Sequence, residues 1–239
     1  SLSKKGLLNI IESLYDYIKK LGLKEHSEWG NYYNKTNYTD DAFVKKSEII
    51  NTWIETVGPK SLIDIGGNDG TFVRKLNDPI ETALVCDIDN NAIDFNHKTM
   101  KLNKEQFMLP FLLDVLNPSA SIGLNNKERD SFLNRIKEFA PDVTLVLAVI
   151  HHMSLSGNVP FSESAKFFSS FSKHLIIEFP KRDDSWVQRL LKSKADFENY
   201  FDFYNIENFK KCYSDYFNIQ DEVSIINSNR VLFLMENKC

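Results

Sequence analysis

Residues 61–73 read Ser-Leu-Ile-Asp-Ile-Gly-Gly-Asn-Asp-Gly-Thr-Phe-Val, an apolar strand followed by a glycine-rich turn and the start of a helix. Glycine adopts positive φ angles and lets the backbone approach a ligand closely. Open α/β sheets bind nucleosides at turns of this kind, which follow the carboxyl ends of their strands. This stretch therefore predicts a strand-turn-helix unit with a ligand site at the turn.

The spacing of the glycines excludes two common phosphate-binding motifs. A dinucleotide fingerprint has Gly at its first, third and sixth positions, but counting from Gly66 the third and sixth residues are Asn68 and Thr71. No Gly-Lys-Ser/Thr follows, which excludes a P-loop. The remaining pattern, Asp64-x-Gly66-x-Asn68-x-Gly70, resembles motif I of class I S-adenosylmethionine (SAM) methyltransferases, usually Asp/Glu-x-Gly-x-Gly-x-Gly. Asparagine tolerates the left-handed backbone better than other non-glycine residues, so this departure is mild.

Strand and helix signals alternate from residue 60 onward, which favours parallel βαβ units. We expect strands at 61–65, 82–87, 108–113, 143–149 and 174–179, and helices at about 69–76, 90–98, 128–139 and 161–171. Residues 181–204 are charged and aromatic, and they are a candidate cover for the strand ends. A short helix near 206–213 and two final strands, at about 217–225 and 229–235, end the chain.

Two helices are expected before the first strand. Apolar residues recur at helical spacing from Leu7 to Leu21, and a second helix runs from Asp40-Asp41 to about Thr56. The predicted fold is α/β, a doubly wound, seven-stranded Rossmann-like methyltransferase sheet with an antiparallel last hairpin and extra N-terminal helices. We expect residues 1–57 to form a helical lid or extension and residues 58–239 to form the SAM-binding domain.

The amino-acid composition bears on whether the protein binds nucleic acid, zinc or a membrane and on the compartment in which it works. The 239-residue chain carries a net charge of −4, so no general basic character favours nucleic acid, although pairs such as Lys45-Lys46 are possible anion contacts. Its three cysteines are odd in number and widely spaced, which argues against a disulfide framework and against zinc. No apolar run approaches the roughly 20 residues of a membrane span. We expect a cytoplasmic protein that binds no membrane.

Four strand ends supply the predicted SAM site. Gly66, Gly67 and Asn68 would lie against the methionine half, with Asp64 orienting the turn and Gly70 ending it; Asp87 would accept both ribose hydroxyls and Ile88 would pack on adenine. The resemblance implies that Asp114 accepts from the adenine amino group, that the Val115 amide reaches a ring nitrogen, and that backbone at Ala148 faces the sulfonium. The alternatives are a tight turn without a ligand, a solvated Asp114, and an acid that only caps the next helix, a role that suits Asp89 better than Asp87.

The resemblance extends over nearly the whole chain. The stretches 29–38, 114–119, 123–132, 147–152 and 178–191 look like a bacterial family of SAM-dependent methyltransferases. This resemblance implies the fold and the cofactor and says almost nothing of the methyl acceptor.

Three residues are candidates for catalytic roles. His151 and His152 follow the fourth strand next to the expected methyl group, where they could transfer a proton, because histidine titrates near neutral pH. The pair could instead line the pocket or cap a helix. Glu178 ends the fifth strand and is expected to face the same crevice, where it could orient a histidine, bind an acceptor amine or join the histidines at a divalent metal. Because no regular ligand spacing supports a metal, we expect none.

Three residues are candidates for contact with the acceptor. Asn117 and Arg129 follow the third strand, where Arg129 could meet an anionic group or brace the loop through Glu128, or could simply be solvated. Tyr33 belongs to a dense aromatic segment, 29–38, which could close over the cofactor or pack the first helices against the sheet.

The sequence predicts a SAM-dependent methyltransferase that acts on a small molecule. The alternatives are a methyltransferase for protein or RNA and a non-catalytic module with the same fold.

Overall fold

The computed structural model describes residues 2–21, 40–194 and 199–239, within which seven strands form one mixed sheet. The strands are β1 (Ser61–Ile65), β2 (Thr82–Asp87), β3 (Met108–Leu112), β4 (Val143–Val146), β5 (His174–Pro180), β6 (Phe217–Ser224) and β7 (Arg230–Asn237). The helices are α1 (Lys4–Lys20), α2 (Asp40–Val57), α3 (Thr71–Arg74), α4 (Asn90–Asn103), α5 (Phe132–Phe139), α6 (Phe161–Ser169), α7 (Ser185–Lys192) and α8 (Ile206–Ser214).

The strand order is β3-β2-β1-β4-β5-β7-β6, and it confirms the predicted fold class. Strands β1 to β5 run parallel, whereas β7 pairs antiparallel with both β5 and β6. The chain moves outward from β1 to β3 and then returns to place β4 on the other side of β1. In open α/β sheets, a ligand crevice forms at the carboxyl ends of the strands where the order reverses in this way. A ligand site is therefore expected at the carboxyl ends of β1 and β4.

Alternating side chains of the central strands feed two apolar cores, one on each face of the sheet. On β1, Ile63 and Ile65 belong to the core covered by α5 to α8, and Leu62 belongs to the core covered by α2 and α3. Every residue of β4 is buried, as expected of a parallel strand covered on both faces. Trp53 of α2 packs in the second core, and its indole Nε1 donates to Asp221 Oδ2 of β6 at 2.9 Å. Helix α2 is thus part of the layer that covers the sheet.

Helix α1 forms at the predicted place but buries none of its residues among the described part of the chain. Its N-cap is Ser3, whose hydroxyl oxygen accepts from the Gly6 amide at 3.1 Å. The helix ends at Lys20. No described helix has the length and apolar character needed to cross a bilayer.

Two local expectations are wrong. The fourth strand ends at Val146 and not at residue 149, because Ala148 adopts a positive φ of 57° that breaks the extended backbone. The segment after β5 was expected to be an irregular cover, but it contains α7. The Asp184 carboxylate caps this helix by accepting from the Trp186 amide at 2.9 Å, and Val187 and Leu191, one turn apart, are buried. A cap followed by this spacing is a helix signal that the charged composition of the segment obscures.

Candidate functional site

A cleft with a volume of about 260 Å³ opens at the carboxyl edge of the sheet, next to the reversal between β1 and β4. The ends of β1, β2, β3 and β4 all contribute to its walls. The lining residues are Ile65, Gly66, Asn68, Asp87, Ile88, Leu113, Asp114, Val115, Leu116, Leu147, Ala148, Val149, His152 and Met153. Eight of the predicted site residues lie in this lining: Gly66, Asn68, Asp87, Ile88, Asp114, Val115, Ala148 and His152.

The turn after β1 has no room for side chains at its two consecutive glycines. A Cβ at Gly66, where φ is +78°, would lie 2.3 Å from Val149 Cγ2. A Cβ at Gly67 would lie 2.6 Å from Asp64 Oδ2 and 2.8 Å from Val85 Cγ1. Gly66 therefore lines the cleft with backbone alone, as close approach to a ligand requires, whereas Gly67 packs against Asp64 and Val85 and does not line the cleft.

Hydrogen bonds hold the same turn against β2. The amides of Gly66 and Gly67 both donate to the Cys86 carbonyl oxygen, at 2.8 and 2.9 Å. The next residue, Asn68, has a φ of +49°, and its amide donates to Asp87 Oδ2 at 2.8 Å. Asn68 thus has the left-handed conformation, which asparagine tolerates better than other non-glycine residues.

Asp87 joins the first two loops and keeps acceptor capacity for a ligand. Its Oδ1 accepts from the Asp89 amide at 2.9 Å, while Oδ2 accepts from Asn68. The Ile88 amide also acts on this carboxylate. An ionised carboxylate has about four lone-pair sites, so these backbone donors still leave room for a hydroxyl donor. Burial raises the pKa of Asp87, and the backbone amides partly oppose that rise. The helix cap is a separate residue, because Asp89 Oδ1 accepts from the Asn91 and Ala92 amides at the start of α4.

An apolar surface and a further carboxylate complete the β2 and β3 side. Ile88 is 58% exposed although it follows a buried strand, and it lines the cleft with Val115. The Asp114 carboxylate lies in the same wall, where its Oδ1 accepts from the Leu116 amide at 2.9 Å. This wall offers apolar contact area together with a hydrogen-bond acceptor.

Asp64 lies beneath the turn and outside the lining. It is fully buried, and neither carboxylate oxygen has a hydrogen-bond partner among the described residues. Burial, together with the nearby acids Asp87 and Asp69 and against the opposing effect of Lys46, raises its pKa to about 7.

The β4 exit is an irregular segment that brings one histidine into the cleft. After Val146 the chain passes through Ala148 and enters a π-helical turn, His152–Ser156. Such turns are rare and often occur at functional sites. His152 lines the cleft, whereas His151 is 2% exposed, and the two rings lie 4.1 Å apart between centroids.

Both histidines are neutral at pH 7. Burial, and after it the nearby Arg230 guanidinium, lower the pKa of His152 to about 4. Burial and the two neighbours His152 and Arg230 hold the pKa of His151 well below its usual range. A neutral imidazole in the cleft wall is chemically able to accept a proton.

Glu178 does not line the cleft, contrary to the expectation that it faces the crevice. It is fully buried in a network of ion pairs, where its Oε2 accepts from Lys46 Nζ at 2.8 Å and its Oε1 lies 3.6 Å from Arg230 NH1. Arg230 Nε also donates to Asp184 Oδ2 at 2.8 Å. The network joins α2, β5, β7 and the N-terminus of α7. Lys46 was not predicted from the sequence as the partner of Glu178. The catalytic role of Glu178 stays a prediction.

The remaining predicted residues lie elsewhere. Gly70 precedes α3 with a φ of +78°, and the space that a Cβ would enter is filled by Arg74 and Asn96. Asn117 and Arg129 are exposed and do not line the cleft. Tyr33 lies outside the described residues.

The loop after β3 has an internal brace. The Glu128 side chain accepts from the Leu124 amide at 3.1 Å, and the backbone of Arg129 pairs with Ile122.

The part of the chain that the structure describes contains no group of three or more His, Cys, Asp or Glu side chains placed to hold a metal ion.

Solved structures share this arrangement of strands and helices. The N-methyltransferase NodS from Bradyrhizobium japonicum WM9, in complex with S-adenosylhomocysteine, is 13% identical with a TM-score of 0.53, covering 84% of this chain and 94% of NodS. Magnesium protoporphyrin IX methyltransferase ChlM from Synechocystis PCC 6803, with bound SAM, is 15% identical with a TM-score of 0.54, covering 95% and 96%. The fold is that of the class I SAM-dependent methyltransferases. The 16S rRNA methylase RmtB also has it, at 14% identity and a TM-score of 0.51, covering 83% and 64%.

One curated sequence relative matches along almost the whole chain. Nodulation protein NoeA of Rhizobium meliloti (strain 1021) is 30% identical over 238 residues, which are 98% of this chain and 48% of NoeA. The chain therefore spans about half the length of this relative. No protein-family model matches the chain.

The buried pair between Lys46 and Glu178 allows a stability test with a neighbouring control. Lys46→Met removes one cation that faces a fully buried carboxylate, so we expect the free energy of unfolding to fall by roughly 3–5 kcal/mol. Lys45→Met serves as the control, because Lys45 is exposed and pairs with the exposed Glu48 one turn along α2; we expect a change within about 0.5 kcal/mol. Urea denaturation measures both. Equal losses in the two variants would contradict the buried pair.

Proposed function

We propose that the protein is a methyltransferase that transfers the methyl group of SAM to a small molecule. The supporting observation is the meeting, in one cleft, of a wall made by the glycine turn and the Asp87 carboxylate from the next strand. A motif-like turn alone could serve only packing. A carboxylate with spare acceptor sites and an exposed apolar side chain, Ile88, add the two features that an adenosyl group needs.

The residues present match the parts of SAM. Asp87 would accept from the ribose hydroxyls, Ile88 and Val115 would contact the adenine ring, and Asp114 would accept from its amino group. The glycine turn would lie along the methionine half. When bound, SAM supplies an electrophilic methyl group on a positively charged sulfur. The chain then contributes chiefly by aligning the acceptor with that methyl group and by excluding water.

A small acceptor suits the apolar part of the cleft lining. Leu116, Leu147, Val149 and Met153 line the cleft together with the neutral His152. These side chains favour an acceptor with an apolar body, and the net charge of −4 disfavours a polyanion such as RNA. His152 would accept a proton from an acceptor hydroxyl or ammonium group. Asn117 and Arg129, in the exposed loop after β3, stay predicted contacts of the acceptor.

The division into an extension, 1–57, and a SAM-binding domain, 58–239, also stays a prediction, although α2 packs directly on the sheet.

Calorimetry with S-adenosylhomocysteine tests the function, and a single side chain sharpens the test. Ile88→Ala removes apolar surface that would be buried against adenine, so we expect about tenfold weaker binding, equivalent to about 1.4 kcal/mol. Leu102→Ala is the control, because Leu102 is 83% exposed near the end of α4 and does not line the cleft. We expect its affinity to equal that of the unsubstituted protein.

Two results would contradict the proposal in different ways. Folded protein that binds neither SAM nor S-adenosylhomocysteine would overturn the function. Equal weakening by Ile88→Ala and Leu102→Ala would overturn the placement of adenine.

The charge state of His152 is open to direct measurement. Because burial lowers its pKa to about 4, we expect its ring signals in NMR spectra to stay unchanged from pH 8 down to about pH 5 and to move only below that. The folded protein then binds fewer protons than the unfolded chain between the ordinary histidine value and 4, so the contribution of this group to stability is lost as pH falls through that window. His152→Gln assigns the signal by its disappearance. Protonation at or above pH 6.5 would contradict the burial of this ring beside Arg230.

A further inference from the structure

The least satisfied polar group beside the cleft is the carboxylate of Asp64. It lies on β1, it is fully buried, and both of its oxygens lack a hydrogen-bond partner among the described residues. An ionised carboxylate in such a place is unfavourable unless a positive charge lies near it. The protein must therefore either keep Asp64 protonated or supply a compensating charge.

Asp64 packs against the turn that forms one wall of the cleft. Its Oδ2 lies 2.6 Å from the point where a Cβ of Gly67 would be. Gly66 and Asn68, on either side of Gly67, both line the cleft. A charge that enters the cleft therefore approaches the carboxylate across the backbone of this turn.

The protein's own cations are already engaged by other carboxylates. Lys46 of α2 is the cation that acts on Asp64, but its Nζ lies 2.8 Å from Glu178 of β5. Arg230 of β7 lies beside Glu178 and pairs with Asp184. Within the part of the chain that the structure describes, each of these cations therefore already faces a carboxylate, and an ionised Asp64 would have to share Lys46 with Glu178.

Within the described part of the chain, the other groups near Asp64 are acidic or uncharged. Asp87 of β2 and Asp69 of the turn both disfavour its ionisation, and the Cys86 thiol of β2 is buried beside these acids with its pKa raised well above its usual range. Burial, followed by Asp87 and Asp69, raises the pKa of Asp64 to about 7, against the effect of Lys46. A carboxyl group in this setting responds to a positive charge placed in the cleft.

We propose that Asp64 is a specificity-determining residue that releases its proton to solvent when a sulfonium cation occupies the cleft and retains it when the cleft holds the uncharged thioether product. The inference rests on the proposed function. On donor binding, the O–H bond of the Asp64 carboxyl group breaks and the proton passes to the buffer. After methyl transfer the sulfur is neutral, and Asp64 takes a proton back from solvent. Asp64 thereby favours the donor over the product at the end of each turnover.

This linkage has a calculable pH dependence. If the donor requires ionised Asp64, its apparent affinity follows the ionised fraction in the free protein. With a pKa of about 7 that fraction rises from about 0.1 at pH 6 to about 0.9 at pH 8. The affinity for SAM relative to S-adenosylhomocysteine should therefore increase about tenfold over this interval.

Calorimetric titrations in two buffers with different heats of ionisation count the protons released. We expect SAM binding at pH 6 to release an amount approaching one proton per site, S-adenosylhomocysteine to release less, and the difference to vanish above pH 8. Asp64→Asn keeps the shape of the side chain but cannot ionise, so its proton release and its affinity ratio should lose this pH dependence. The ligands' own amino groups titrate in both proteins and cancel in the comparison.

Asp94→Asn is the matched control, because Asp94 is on α4 outside the cleft lining and pairs with the exposed Lys98. It should behave as the unsubstituted protein does. If Asp64→Asn does not fold, the comparison of SAM with S-adenosylhomocysteine on the unsubstituted protein decides alone.

The outcomes separate the two proposals. If both ligands bind but release equal numbers of protons at pH 6, with an affinity ratio that does not change between pH 6 and pH 8, the role of Asp64 is overturned and the proposed function stands. If neither ligand binds to folded protein, the proposed function itself fails.

Discussion

The close packing of Gly66 and Gly67 is the constraint on which the rest of the site depends. Val149 of the β4 exit occupies the space beside the first glycine, and the Asp64 carboxylate occupies the space beside the second. Both amides are directed to the Cys86 carbonyl oxygen of β2. The turn is therefore held by its neighbours on both sides, and its bare backbone faces the cleft. Side chains at these two positions would have to displace β4, β2 or the carboxylate.

The same turn links the cleft to the charge distribution beneath the sheet edge. Asp87 receives the Asn68 amide on the cleft side, while Asp64 packs on the inner side, close to the ion pairs of Lys46 with Glu178 and of Arg230 with Asp184. Helix α2 supplies Lys46, so the N-terminal part of the chain takes part in the electrostatics of the site. Burial makes these charges effective, because a low local dielectric strengthens their interactions.

Local sequence determined most of the fold and the wall of the cleft. Runs of apolar residues marked β1 and β4, and the acids at strand ends marked the cleft, because carboxyl ends of parallel strands meet at one edge. The predicted end of β4 is three residues too late, because Ala148 has a positive φ. This conformation arises from tertiary context, and no glycine in the sequence indicates it. Helix α7 was not predicted because the segment is rich in charged residues and has only two buried apolar positions at helical spacing, Val187 and Leu191.

The parts of the site that could not be predicted depend on long-range pairing. Lys46 and Glu178 are 132 positions apart in sequence, and only the packing of α2 on the sheet brings their side chains together. Without that pairing, a glutamate at a strand end looks like a cleft residue. The orphaned state of Asp64 is equally invisible in sequence, since the motif specifies an acid there but not which donors surround it.

The most direct test of the account is a crystal structure with S-adenosylhomocysteine. We expect the adenosyl group in the cleft at the β1–β4 reversal, with the ribose hydroxyls donating to Asp87, adenine against Ile88 and the methionine half along the glycine turn. A ligand bound elsewhere, with Asp87 accepting only from backbone amides, would contradict this placement.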